Sequence, residues 1–408
     1  MGVVGTVDLV SDTTAKEMVE QLKYANALRA AEAAESLAVL KADLKGIQSL
    51  VRKGLASQVF EVGDQIVVPW TDKDATKTYQ VPMDIVHFGD VTLKDGEVVP
   101  GMFLQWHYAT PYGVMFDAYE AFYYAEEELP AGTYYITVGD NWGTYCKKNE
   151  TYSFTLTSPV PAGGQLSGFK GMPDQAPTNW KVYSWASKEA AEPIETVSVT
   201  AGANGTSLGT LQTAGNEQLN SLHRTAYGYN RWSQSAIRQY LNSAKGKGEW
   251  WKPQNNYDRM PDQLSTKTGF LAGFEKDFLD VIGEVKVTTA LNTVTDASVG
   301  AQEDTYDKIF LPSLEQLYVV PQLKGVEGDY WEYWKRATGA AEPQAQYGTY
   351  PERITYAIEA RTSAQNVRLR SAYRGYGYYT WNVSTSGYVS SYDSATYAIR
   401  CAPACVIC

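Results

Sequence analysis

The chain has 408 residues, enough for two or three domains of ordinary size. Its 35 Lys and Arg residues face 46 Asp and Glu residues, a formal net charge of -11, and the basic residues are scattered. Nucleic acid is therefore not an expected partner. A hydrophobic content of 44% excludes a mainly disordered chain, and 30 Tyr with 11 Trp make the aromatic content unusual.

Membrane insertion and secretion are not expected. No segment contains the roughly 20 consecutive apolar residues of a membrane helix. Residues 1–8 have no basic residue and no sustained apolar core, so they do not resemble a secretory signal. Cys146 is isolated and the other three cysteines lie between 401 and 408, which is not a disulfide framework and predicts reduced thiols.

The first region, residues 1–57, is predicted to be helical from about 12 to 54. Thr14 and Glu17 form a capping-box pattern, and Gly54 is a candidate C-cap. A coiled-coil spacing of three and four residues links Leu37, Leu40, Leu44, Ile47 and Val51. Two interpretations stay open: a helix packed on its own domain, or a stalk that forms a homo-oligomer, most simply a trimer or dimer.

The second region, residues 58–200, is predicted to be a β-sandwich-like domain. Runs of β-branched and aromatic residues predict strands at 65–68, 101–106, 132–138 and 151–157. Turn signals rich in Gly, Pro and Asp separate them, which favours a sandwich or jelly roll.

The third region, residues 201–408, mixes helical and strand patterns. A capped amphipathic helix is predicted over 233–242, and a second helix is predicted to start at Leu314, after Pro312 and Ser313. The last forty residues alternate short strands with turns. The expected fold class is mainly β, with an α+β C-terminal region and a helix at the N-terminus.

Catalytic and metal-binding patterns are weak. The three histidines, His87, His107 and His223, have no metal-ligand spacing, and none lies in the last third of the chain to serve as a base. Zinc would need a fourth ligand beside the three C-terminal cysteines, which are better explained as core residues of a terminal strand. No cofactor, metal or enzymatic activity is expected.

Residues 362–408 are the most informative segment. They contain seven Tyr, seven Ser, four Arg and one acidic residue, Asp393. This is the composition of a binding surface such as a paratope. Because strand neighbours alternate, half of the side chains over 373–382 are expected to face outward. The alternative is that Tyr is present only because it suits strands.

The third region resembles the variable proteins of diversity-generating retroelements, which have a C-type-lectin-like fold and occur in phages and bacteria of gut communities. The resemblance is carried by residues 230–242, 250–258, 269–274, 307–317, 368–371, 398–400 and 402–404. In that family a reverse transcriptase writes adenine-directed changes into the 3′ end of the gene. The resemblance implies a C-type-lectin-like domain over 201–408 with a variable segment at about 372–397. It also implies fixed framework positions at Arg370, Val383, Gly387 and Arg400.

The resemblance also implies a set of ligand-binding residues within and beside this segment. They are Tyr373, Arg374, Tyr376, Tyr378, Tyr379, Asn382, Tyr388, Tyr392 and Tyr397. Trp381 is added to the expected ligand-binding residues because Trp is a residue type that anchors interface hot spots. The triplet 381–383 lacks the Asp of calcium-dependent lectins, so calcium and sugar binding by that motif are not implied. Formylglycine-generating oxidases share the fold and use a cysteine pair, which keeps an enzymatic alternative open.

The expected function is that of a receptor-binding adhesin, a phage tail-tip virion protein made in the host cytoplasm. Its tip would attach to a host cell-surface protein or glycan, a homotrimer would add avidity, and the N-terminal region would contact other virion proteins. Three alternatives stay open: a bacterial cell-surface location, a structural virion protein without receptor binding, and a cysteine-dependent oxidase of the formylglycine-generating type.

Overall fold

The computed structural model describes residues 43–118, 228–254, 260–296 and 299–408, and five strands with a few neighbouring residues between 119 and 227. The described part is mainly β, as predicted, and contains six short helices. None of the described helices is long and apolar enough to span a membrane.

The central sheet has four antiparallel strands in the order β1, β2, β3, β16. Their bounds are Gln65–Asp72 for β1, Lys77–Thr92 for β2, Val98–Trp106 for β3 and Ala404–Ile407 for β16. On the far side of β16, Phe310 and Ala404 exchange main-chain hydrogen bonds of 2.9 and 2.8 Å. The main-chain N–H of Gly283 donates to the Val406 carbonyl at 2.9 Å. The C-terminal strand is therefore enclosed on both edges.

This sheet joins segments that the sequence pattern assigns to different domains. The first three strands fall within the predicted region 58–200, whereas β16 falls within 201–408, and their side chains share one hydrophobic core. The predicted domain boundary at residue 200 therefore lies between segments that share one hydrophobic core. The physical reason is that β16 has only four residues, all buried, and nothing in a short apolar run identifies a pairing partner about 300 residues away.

The first described helix, α1 (Leu44–Arg52), packs on the same core. Asp43 caps it by accepting a hydrogen bond from Gly46 N–H at 2.6 Å, and Gly54 follows its C-terminal end in a left-handed conformation. Ile47 and Val51 are buried within this chain, so α1 follows the packed-helix interpretation. Thr14, Glu17, Leu37 and Leu40 lie outside the described residues.

A separate antiparallel sheet lies between residues 123 and 201. Its strands are β4 (Tyr123–Ala125), β5 (Gly132–Val138), β6 (Thr151–Leu156), β7 (Trp180–Ser184) and β8 (Glu195–Ala201), in the order β4, β8, β7, β5, β6. Strands β5 and β6 confirm the strands predicted at 132–138 and 151–157.

The remaining helices are short connectors. They are α2 (Ala56–Val59), α3 (Ala236–Leu241), α4 (Asp262–Ser265), α5 (Lys276–Val281) and α6 (Glu332–Thr338). The helix predicted over 233–242 begins at Ala236, because Ser235 is its N-cap and accepts from Arg238 N–H at 3.3 Å. A 3-10 turn, Trp232–Gln234, precedes it.

The prediction of a helix starting at Leu314 is wrong. Residues 314–318 form turns, and Tyr318 adopts a left-handed backbone with φ 59°. The Ser313 hydroxyl accepts from Gln316 N–H at 3.1 Å, which starts a helical turn, but a left-handed residue cannot continue it.

Three further small sheets complete the C-terminal half. Strand β9 (Val285–Ala290) pairs with β10 (Gln302–Asp307), and β11 (Thr355–Tyr356) pairs with β12 (Ala364–Gln365). The third sheet has the order β13 (Val367–Ala372), β14 (Tyr379–Val383), β15 (Val389–Ser394), and it carries the candidate site.

Candidate functional site

In the sheet β13–β14–β15, strands β13 and β14 are largely buried, whereas β15 is partly exposed. Every residue of β13 is buried, and so are residues 380–383 of β14. One face carries Trp381, which is covered by rings from outside the sheet. The other carries Thr380, whose hydroxyl accepts from the guanidinium of the buried Arg368. Strands β13 and β14 thus form a buried support beside the partly exposed β15.

Above Trp381 lies a layer of tyrosine rings, here called the tyrosine patch: Tyr347, Tyr373, Tyr376, Tyr379 and Tyr392. Ring centroids are 5.3 Å apart for Tyr373 and Tyr376, 5.1 Å for Tyr376 and Tyr379, and 5.9 Å for Tyr347 and Tyr392. These separations are typical of aromatic pairs that stabilise one another. The patch is therefore a continuous layer built from different segments of the chain.

Two buried aromatic side chains support the patch from below. The Trp381 ring lies 5.2 Å from Tyr347 and 5.8 Å from Tyr373, and the Tyr378 ring lies 4.4 Å from Tyr379. The Trp381 indole N–H donates to the side-chain oxygen of Gln322 at 3.4 Å. The same Gln322 oxygen accepts from the main-chain N–H of Arg374 at 2.7 Å, which ties the loop to the support.

The loop that carries the patch, residues 373–379, is held through its main chain. Asn230 is fully buried, and its side-chain amide nitrogen lies 3.2, 2.7 and 2.8 Å from the carbonyl oxygens of Tyr373, Tyr376 and Tyr379. Its main-chain N–H donates to the Gly377 carbonyl at 3.0 Å. None of these bonds uses a side chain of the loop.

A buried polar chain fixes Asn230 in turn. Its side-chain oxygen accepts from the amide of Asn292 at 3.0 Å, and the Asn292 amide also donates to Asp296 at 2.7 Å. The Tyr229 hydroxyl donates to the same Asp296 carboxylate. Thr293, next to Asn292, donates to the Arg374 carbonyl from both its main-chain N–H and its hydroxyl, at 2.8 and 2.9 Å. Satisfied buried networks of this kind specify one conformation.

Buried arginines brace the sheet from behind. Arg368 donates to the main-chain carbonyls of Ser394 and Tyr397 at 3.1 and 2.7 Å, and Arg370 donates to the Leu311 carbonyl at 2.8 Å. Burial lowers the pKa of each guanidinium to about 10, so both stay charged at neutral pH. The carboxyl of Glu327, buried near Arg370, has a raised pKa because burial disfavours its charged form.

The predicted ligand-binding residues fall into three groups. Tyr392 and Tyr397 are 65% and 53% exposed. Tyr373, Arg374, Tyr376, Tyr379 and Tyr388 are half-buried. Tyr378, Trp381 and Asn382 are buried and do not reach the surface. The expected alternation of inward and outward side chains over 373–382 fails because residues 373–378 form a loop and residues 380–382 of β14 are all buried.

The four predicted framework positions lie in supporting roles. Arg370 and Val383 are buried, and Arg400 donates to Glu359 at 2.7 Å and to the Thr110 carbonyl at 2.9 Å. Gly387 has φ 79°, and a Cβ there would lie 2.2 Å from the Tyr350 carbonyl oxygen, so only glycine fits.

Sequence reasoning missed Tyr347 and Gln322 as members of the site, and it gave Asn230 no role there. Tyr347 and Gln322 lie outside the Tyr-rich segment, and Asn230 lies 146 residues before Tyr376. No local pattern relates such positions, although Asn230 opens one of the stretches that carry the resemblance.

Two histidines, His87 and His107, and three cysteines, Cys401, Cys405 and Cys408, lie in the described part of the chain. His107 Nδ1 lies 2.7 Å from an Asp84 oxygen, and this hydrogen bond raises the pKa of His107. Burial raises the pKa of Cys401 to about 12 and raises that of Cys405 further. In the described part of the chain, no three His, Cys, Asp or Glu side chains are grouped so as to hold a metal ion. His223 and Cys146 lie outside the described residues.

Fold and site together define a mainly β protein that presents tyrosine rings on a sheet whose strands β13 and β14 are largely buried. Residues 204–407, which are 204 of the 408 residues, match the family described as Domain of unknown function (DUF6273), and the chain belongs to this family. No curated protein and no solved structure matches the chain. The matched range includes β16 but not its partner β3.

Proposed function

We propose that the protein is a receptor-binding adhesin whose tyrosine patch binds a ligand on a host cell surface. The C-terminal region would be a C-type-lectin-like tip diversified by a retroelement, and the protein would be part of a phage virion. The observation that carries this proposal is the hydrogen bonding of Asn230 to main-chain carbonyls of the 373–379 loop. Bonds to the main chain hold the loop whatever its side chains are, which is what a diversified surface requires.

The chemistry of the surface supports the same proposal. Within 372–397 the charged residues are Arg374 and Asp393 alone, and the exposed groups are mainly tyrosine rings with hydroxyls. Tyrosine combines a large apolar area with a hydrogen-bonding tip and loses little conformational entropy on binding. Tyr392, the most exposed ring of the tyrosine patch, would be a main contact.

The proposed homotrimer would have to use residues other than Ile47 and Val51. Ile47 and Val51, two positions of the coiled-coil spacing, are already buried in this chain's own core and are not free to pair with another copy. Linked copies would convert several weak contacts into strong attachment.

The oxidase alternative lacks support from its key residues. A reactive thiol needs a lowered pKa, whereas burial raises the pKa of Cys401 to about 12. The structural-virion alternative predicts that changes in the patch disturb assembly, and it is tested together with the adhesin.

The test combines population sequencing with attachment assays. Deep sequencing of the gene's 3′ end should find substitutions confined to 372–397, at adenines of a nearby template copy. Particles carrying Tyr376→Ser with Tyr392→Ser should assemble normally and lose attachment to cells. Particles that fail to assemble would favour the structural alternative. A uniform 3′ end without a nearby template or reverse transcriptase would refute the proposed diversification by a retroelement.

A further inference from the structure

Tyr347 is the member of the tyrosine patch that lies outside the predicted variable segment. Its ring is 38% exposed and lies beside the rings of Trp381 and Tyr392, at 5.2 and 5.9 Å. Its hydroxyl forms a 2.8 Å hydrogen bond with that of Ser391. The ring is thus fixed within the patch and partly open to solvent.

The backbone of Tyr347 is strained. Its φ is 59°, a left-handed conformation that residues with a Cβ adopt rarely. Such a conformation persists only where the surroundings impose it, and it is concentrated at functional sites.

The surroundings that impose it are main-chain hydrogen bonds to the edge of β15. Tyr347 N–H donates to the Val389 carbonyl at 3.1 Å, and Val389 N–H donates to the Gly348 carbonyl at 3.0 Å. Tyr350 N–H donates to the Gly387 carbonyl at 3.0 Å. The segment 347–350 therefore lies along the sheet as a further edge, and its main-chain position does not depend on the side chains of the variable segment.

A second exposed apolar residue lies on a segment bonded to this one. Val320 is 44% exposed, its N–H donates to the Gln344 carbonyl at 2.9 Å, and its carbonyl accepts from the Gln346 side chain at 2.7 Å. Two residues further on, Gln322 bonds to Arg374 and Trp381. Val320 and Tyr347 thus lie on linked segments that border the patch.

We infer that Tyr347 and Val320 form a constant contact sector of the binding surface, present in every complex, while residues 373–397 select the partner. This inference rests on the proposed function. The partner chemistry that fits is an uncharged polypeptide surface. The five patch residues are all tyrosines, a residue type that suits contacts with protein surfaces, and within 372–397 the charged residues are Arg374 and Asp393 alone.

The test uses the labelled full-length protein and whole cells of a bacterium to which it attaches, with binding measured by flow cytometry. Tyr347→Ala should weaken binding at least about tenfold, the effect of losing one central aromatic contact. Tyr356→Ala is the matched control, because Tyr356 is also 38% exposed and is not a member of the patch. It should leave binding unchanged.

Two further variants separate contact from folding. Tyr347→Phe keeps the ring and loses the hydroxyl that bonds to Ser391, so binding should be retained. Tyr347→Asn tolerates the left-handed backbone but lacks the ring, so the chain should fold and binding should be lost as in Tyr347→Ala. In a chain whose residues 373–397 have been changed to bind a second strain, Tyr347→Ala should weaken that binding too.

The outcomes are distinct. If Tyr392→Ala abolishes binding while Tyr347→Ala and Tyr347→Asn bind normally, the constant sector is refuted and the adhesin stands. If the unaltered protein attaches to no cells, the adhesin itself fails. Proteinase treatment of the cells should remove binding, and periodate treatment should not. If only periodate removes binding, the partner is a glycan and the inference of a polypeptide partner is refuted.

Discussion

The side-chain amide of Asn230 donates to the main-chain carbonyl of Tyr376 at 2.7 Å, across 146 residues of sequence. The same amide reaches the carbonyls of Tyr373 and Tyr379. A residue far from the tyrosine patch therefore determines where the patch loop lies, and the loop side chains take no part in that bonding.

Replacing Asn230 should loosen the loop. Asn230→Ala leaves buried carbonyls without a donor and should lower the free energy of unfolding by about 1–3 kcal/mol, and Asn230→Asp should cost more because a carboxylate repels them. Urea unfolding followed by fluorescence measures the change. The control is Asn366→Ala, which removes one exposed hydrogen bond to Thr385. Equal effects of Asn230→Ala and Asn366→Ala would contradict the assigned role.

Gly387 should not tolerate a side chain. In Gly387→Ala the left-handed backbone costs about 1–2 kcal/mol, and the overlap with the Tyr350 carbonyl adds to that cost. Gly325→Ala is a matched control, because Gly325 has φ 74° and nothing within 4 Å of the added Cβ. Thermal unfolding should rank Gly387→Ala as clearly less stable than Gly325→Ala. The same melting temperature for both would show that the 387 turn can move.

His107 and His87 should give opposite pH dependences. The hydrogen bond to Asp84 raises the pKa of His107, so its stabilising effect is full below the unfolded pKa of 6.5 and is lost as pH rises through the folded value. Burial lowers the pKa of His87, although the nearby charges of Asp329 and Glu332 act in the opposite direction. The folded protein therefore favours neutral His87, and the stability that this provides above pH 6.5 is lost as the pH falls.

Urea midpoints across pH 5 to 8 measure both effects. Relative to the unaltered chain, His107→Asn should lose most stability at the acidic end, whereas His87→Asn should reduce the loss of stability on acidification. A His107→Asn midpoint difference that is the same at every pH would show that protonation of His107 is not linked to folding.

The C-terminal cysteines should be inert in the native protein. Since burial raises the pKa of Cys401 to about 12 and that of Cys405 further, little thiolate forms at neutral pH. In a Cys146→Ser chain, Ellman's reagent should react with none of the three remaining thiols until urea is added, and then with all three. Fast reaction of a thiol in the native protein would contradict this prediction and favour the oxidase alternative.

Local patterns predicted several elements well. The strands expected at 65–68 and 101–106 are parts of β1 and β3, because a run of β-branched and aromatic residues is a local property of the sequence. Ser235 as a cap is equally local. The helix expected at Leu314 failed because Tyr318 turns left-handed within a packed environment that the local sequence does not describe.

The site was predicted only in outline. The Tyr-rich composition located the surface, and Tyr392 and Tyr397 are exposed as expected. Tyr378, Trp381 and Asn382 were assigned to the surface but are buried, since other segments of the chain pack over them. Tyr347 was missed because its place beside Trp381 results from pairing of its segment with β15.

The sequence by itself determined the mainly β composition, the individual strands and helix caps, and the concentration of tyrosine near the C-terminus, because each depends on residues close together in the chain. Only the tertiary structure decided that β16 pairs with β3, that Asn230 holds the 373–379 loop and that Tyr347 completes the patch. These are contacts between distant segments, and their free energy comes from burial and hydrogen bonds that exist only once the chain has folded.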